Sequence, residues 1–189
     1  GKEITSRIPN VDTTALKAGT ATTATYNHSK EPVNVSIGSI VVYTIRVYNE
    51  GEVDGYANEI TDHLPDQLEF LPDNEINKEY GWKVDETNSK IVKTAYLSKD
   101  NETTDGENKI AAFDGEKLSY KDVKIVCKVV ETNPMVKKIT NIADITDFTN
   151  GNGESVKDRD SSKDNVEIPS DLPGYKDDEI NKDYVPGQE

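Results

Sequence analysis

Cysteine is almost missing from this chain, and several chemistries go with it. One of the 189 residues is a cysteine, Cys127, so neither an intrachain disulfide nor a cysteine-based zinc site can form. Histidine occurs twice, as His28 and His63, far apart and with no nucleophile nearby in sequence. Both read as strand-edge residues, with His63 placed to tune its neighbour Asp62. Basic residues are outnumbered, 22 Lys and Arg against 36 Asp and Glu, for a net charge of −14. That balance argues against nucleic acid or an anionic membrane surface as a partner, because both demand clustered positive charge. No apolar run is long enough to span a bilayer, and no signal peptide or sorting signal is visible. Apolar residues are only 33% of the chain, so some segments must lie outside any core.

What is there alternates with a period of two. In residues 33–48, Val41, Tyr43, Ile45 and Val47 share one face, with Thr44 and Arg46 on the other. Residues 56–64 give a second strand, with Ile60, Asp62 and Leu64 in one phase. Residues 82–93 read as a strand pair turning at Glu86-Thr-Asn-Ser89. In residues 120–130, Val123, Ile125, Cys127 and Val129 point inward, and Ile139, Asn141, Ala143 and Ile145 mark a last strand. Residues 98–109 read as a loop and 73–80 as a helical turn. Short strands separated by turn signals predict an all-β, immunoglobulin-like sandwich. It carries an irregular, Thr-rich N-terminal segment over residues 1–27 holding one or two short strands.

The composition changes beyond residue 148. Residues 149–165 hold almost no apolar side chain, and residues 166–189 carry Pro, Asp and Tyr. Such a tail cannot bury enough surface to offset its ordering entropy. Residues 1–148 are therefore read as the domain and 149–189 as a linker between repeats. The start at Gly1 and the finish in Tyr184-Val-Pro-Gly-Gln-Glu189 favour a piece of a longer protein.

Two polar residues fall in the inward phase, Asp62 and Asn141, and Lys30 precedes the first clear strand. Each would be costly to bury alone. Together they meet the needs of a spontaneous isopeptide bond. Apolar surroundings favour a neutral, nucleophilic lysine amine and raise the pKa of the aspartate. The aspartate can then protonate the carboxamide oxygen while the amine attacks the carbon and ammonia leaves. Lys17, Lys90 and Lys93 are further candidates for the amine.

The segments Gly38-Ser-Ile-Val-Val-Tyr-Thr-Ile-Arg-Val-Tyr-Asn-Glu-Gly51 and Thr61-Asp-His-Leu-Pro-Asp-Gln-Leu-Glu-Phe70 resemble the repeat β-sandwich of Gram-positive, clostridial-type cell-wall proteins. With Thr140-Asn-Ile-Ala143, they are similar to the A-type domains of collagen adhesins and pilins. The resemblance covers residues 28–147. It implies Lys30 as the crosslinking lysine, Asp62 as the proton shuttle and Asn141 as the acceptor. It also implies a strand of the F-D-L-x-L-R-K kind ahead of this segment, a second source of the lysine.

Lesser signals remain. Asp144, Asp147, Asn150 and Asp158 form an oxygen-rich run that suits calcium, though without the spacing of an EF-hand. Cys127 reads as a small core residue and Trp82 as core or strand cover. The sequence thus points to a non-enzymatic, extracellular stalk or adhesin module at the cell wall, without membrane insertion. Its partners are neighbouring repeats and a host matrix protein or glycan. The rival reading is a carbohydrate- or matrix-binding domain that uses Trp82 and the tyrosines.

Overall fold

A computed structural model of the chain describes residues 8–27, 33–132 and 137–156. Within them the protein is an all-β sandwich of antiparallel sheets. Its elements are β1 (Asn10–Asp12), α1 (Thr14–Lys17), β2 (Thr25–Asn27), β3 (Ile40–Asn49), β4 (Gly55–His63) and β5 (Leu68–Phe70). They continue with α2 (Glu75–Glu79), β6 (Lys83–Val84), β7 (Ile91–Thr94), β8 (Ser119–Val129) and β9 (Ile142–Asn150). One sheet runs β3-β8-β5 and the other β6-β7-β4-β9, while β1 and β2 form a separate small ribbon.

The alternation seen in the sequence decides which faces meet. Val47 on β3 and Val123, Ile125, Cys127 and Val129 on β8 turn toward Ala57, Ile60 and Val92 of the other sheet. Val41, Tyr43 and Ile45 pack against the same core while partly exposed. β3 and β8 are in register from Ile40↔Lys128 to Asn49↔Ser119, so Val41, Tyr43 and Ile45 face Cys127, Ile125 and Val123, while Val47 faces Lys121. Gly38, at φ 85°, makes the turn into β3, a backbone state that glycine adopts without strain. The strand itself begins only at Ile40, so residues 33–39 of the expected strand region are not part of it.

Beyond the end of β5, the edge of β8 is covered by α2 and by Trp82. Asn77 on α2 donates to the carbonyls of Leu71 and Val126 and accepts from the Val126 N–H, each at 2.8 Å. β5 stops pairing at Phe70↔Cys127, so this side-chain amide takes over the backbone groups of the next β8 residue. Val126, on the outward phase, is therefore as buried as the core residues.

At the far end, Glu50 accepts from the Ala24 N–H at 2.6 Å and the Tyr26 hydroxyl at 2.8 Å, pinning the β1–β2 ribbon to the end of β3. Arg46 holds Asp122 through two bonds of 2.7 and 2.8 Å and lies over the Tyr120 ring.

β9 runs to Asn150, two residues past the expected end of the domain. Thr149 and Asn150 pair with Tyr56 and Gly55. A turn over residues 151–156 follows, and the rest of the expected linker lies outside the described residues.

Candidate functional site

β4 is the inner strand that carries the site, flanked by β7 and β9. Asp62 stands opposite Val92 on β7 and Ala143 on β9, its side chain turned into the core between Ile60 and Leu64. It has no exposed surface at all (0%). Asn141 immediately precedes β9, whose first residue, Ile142, pairs with His63. That register brings the Asn141 amide to the Asp62 carboxyl, and Nδ2 donates to Oδ2 at 2.7 Å.

The remaining oxygens of the pair are left over. Asp62 Oδ1 and Asn141 Oδ1 are both buried and have no hydrogen-bond partner among the described residues. Buried acceptors without donors are uncommon in folded proteins and mark a strain, a missing group or a chemical role.

Burial dominates the electrostatics here. Loss of solvation pushes the Asp62 carboxyl up to about 7, against the opposing pull of the Asn141 hydrogen bond and of nearby His63. Asp144 adds a smaller push in the same direction as burial. His63 and Asp144 face each other on the outside of the sheet, Nε2 to Oδ1 at 2.7 Å.

A half-turn of the Asn141 amide exchanges its nitrogen and oxygen at the Asp62 contact. In one orientation a carboxylate accepts from the amide N–H. In the other, a neutral carboxyl donates its O–H to the amide oxygen, which draws electrons from the carbonyl carbon. A carboxyl that titrates near neutrality has access to both arrangements.

The sequence-predicted residues fare unequally. Asp62 and Asn141 are brought together. Lys30 lies outside the described residues, as does His28. The other three lysines are held elsewhere. Lys17 sits on Glu116 beside the ribbon, and Lys93 lies on the outer face between Glu59 and Asp85. Lys90 donates to the carbonyls of Leu68, Pro65 and Asp66 at 3.1, 3.4 and 3.4 Å.

The calcium expectation does not find a gathered ligand set. Asp144 is bonded to His63, and Asp147 is exposed, three strand positions further on. Asn150 folds its side chain into its own turn, accepting from the N–H groups of Asn152 and Glu154 and donating to the Glu154 carboxylate. Asp158 lies outside the described residues. Among the described residues no group of three or more His, Cys, Asp or Glu side chains could hold a metal ion.

Trp82 is corrected as a candidate binding platform. It is 6% exposed, and its indole N–H donates to the Lys124 carbonyl at 2.7 Å, so its ring covers β8. Cys127 is fully buried, its thiol pushed up to about 12 by burial and by the Asp62 charge. No helix among the described residues is long and apolar enough to cross a membrane.

Comparison of the chain with protein-family models, with curated proteins and with solved structures finds no match in any of the three.

Proposed function

We propose that this chain is an extracellular structural or adhesive repeat module of a bacterial cell-surface protein, locked by a self-made Lys–Asn isopeptide bond. The observation that carries the proposal is the buried Asp62–Asn141 pair, bonded at 2.7 Å and left with two oxygens inside the sandwich that have no partner among the described residues. Asp62 is the proton shuttle, Asn141 the acyl donor and Lys30 the nucleophile. The chemistry modifies the chain's own Asn141 once and turns over no substrate, so the module is not an enzyme.

Several features support this reading. A carboxyl raised toward neutrality by burial is the state such a shuttle needs. Asn141 lies at the start of the last described strand and Lys30 ahead of β3, so their bond would close a loop of more than a hundred residues. By analogy with disulfides, a crosslink over that span stabilises by ~2–4 kcal/mol through the unfolded chain. With its one cysteine buried and free, the chain has no disulfide of its own to do this. Neighbouring repeats and a host matrix protein or glycan are the proposed partners.

Peptide mapping after proteolysis tests the assignment. A linked peptide joining Lys30 to Asn141 is expected, and recovery of both residues in separate unmodified peptides would overturn it.

A further inference from the structure

We propose that the Asp62–Asn141 pair is an acceptor site for primary alkylamines as a class, so that an amine with no link to the chain can be joined to the Asn141 side chain. The inference rests on the acyl-donor role given to Asn141 above. It does not depend on Lys30 or on where the protein works.

Among the described residues the pair lacks donors and nothing else. One Asn141 N–H is used on Asp62 Oδ2, and the two remaining buried oxygens can only accept, apart from the proton Asp62 itself carries. A neutral primary amine brings two N–H groups on one small head and a lone pair for the carbonyl carbon. A tertiary amine brings no N–H, and its addition product has no proton to lose, so no amide can form from it.

The surroundings favour an alkyl stem over water. Ile60, Val92, Ile125 and Cys127 are all buried in the same core, where each methylene removed from water adds to binding. The approach is from the Asn141 side. Asp62 is sealed, whereas Asn141 is only partly buried at the end of β9, the outermost strand of its sheet among the described residues.

The step balances without a co-reactant. The amine nitrogen adds to Asn141 Cγ while Asp62 gives its proton to the amide oxygen and takes one from the amine. Collapse then returns a proton to the departing nitrogen, which leaves as ammonia. One C–N bond forms and one breaks. An untethered amine forgoes the effective concentration that folding supplies, a factor of ~10^5 or more in well-oriented cases, so product accumulates over days.

The test is butylamine, a lysine side chain without its backbone, added to the whole chain and followed by intact mass. If the wild-type chain is already self-crosslinked, the lysine found by mapping is changed to alanine first (Lys30→Ala if the bond is at Lys30). If the wild type is uncrosslinked, the Lys30 reading fails and the wild type itself is the test protein. In either case the inference expects a single adduct of about +56 Da, mapped to Asn141, as the amine replaces ammonia. Asp62→Asn and Asn141→Ala chains should gain nothing, and dimethylbutylamine should give no adduct. No adduct on a folded, uncrosslinked chain would overturn the inference. So would adducts at other sites, or conversion of Asn141 to aspartate by water at the same rate with and without amine.

Discussion

The Asn141 amide and the Asp62 carboxyl meet at 2.7 Å in the interior of the sandwich, and each keeps one buried oxygen without a partner among the described residues. Polar groups placed this way cost stability unless something is gained from them. That imbalance gives the pair its measurable consequences.

The rate of amide formation should depend on pH in an unusual way. The reactive form needs a protonated Asp62, which titrates near about 7, and a neutral amine, whose free pKa is ~10.4. Between those values one fraction falls as fast as the other rises, so the rate with butylamine should be flat from about pH 7 to about pH 10. Below pH 7 Asp62 is already protonated, and the rate should fall about tenfold per pH unit as the amine protonates. A rate that climbs tenfold per unit from pH 7 to pH 9 would show that the Asp62 proton takes no part.

Asp62 should also make stability depend on pH. Its carboxyl is raised in the folded chain from 3.8 to about 7. Below about pH 4 it is neutral in both folded and unfolded chains and adds no penalty. As pH rises from about 4 to 7 the unfolded chain ionises while the folded chain keeps its proton, so stability is lost across that window. Above 7 the full cost remains, on the order of 4 kcal/mol at ~1.4 kcal/mol per unit. In an Asn141→Ala background, which cannot crosslink, Asp62→Asn should therefore be close to neutral at pH 4 and clearly stabilising at pH 8. Urea unfolding at the two pH values checks it, and an equal effect at both would refute the assignment.

Asn77→Ala should be among the most damaging single changes outside the site. It removes three hydrogen bonds and strands the N–H and C=O of buried Val126. A loss of ~2–4 kcal/mol is expected, since each buried group left unpaired costs ~1–3 kcal/mol. Chemical denaturation followed by Trp82 fluorescence reads it directly, because the Trp82 indole bonds to the backbone of Lys124, two residues along β8 from Val126. A change under about 1 kcal/mol would mean that water or a neighbour replaces the amide.

Calcium should leave the melting curve unmoved. Asp144 and Asn150 already spend their side chains on His63 and on the turn, so no preformed oxygen cage is present among the described residues. A ligand that binds only the folded chain would raise the melting temperature. Melts with millimolar calcium and with chelator should superimpose.

Much of this was legible in the sequence because strand periodicity is a local property. The phase of Ile60, Asp62 and Leu64 placed Asp62 inside, and that of Ile139 to Ile145 turned Asn141 inward as well; that the two meet is shown by the β4–β9 register. Local patterning also gave the inward row of β8. Contacts made across long separations were not readable. Asn77 lies in an ordinary polar helix, Glu75-Ile-Asn-Lys-Glu79, and nothing local says that its amide will continue the β5 ladder 49 residues away along β8. β5 was hidden for a related reason, being three residues long and separated from Pro65 by only Asp66 and Gln67. The calcium candidates are not gathered into one set among the described residues. Acidic and amide residues dense in sequence were dispersed by strand alternation, Asp144 to the outer face and Asn150 into its turn.

Intact mass of the purified chain tests the central claim most directly. A Lys–Asn bond expels ammonia, so the wild-type mass should lie about 17 Da below that calculated from the sequence, and Asp62→Ala and Asn141→Ala chains should show the full calculated mass. A wild-type chain at its full mass would contradict the self-crosslinking account.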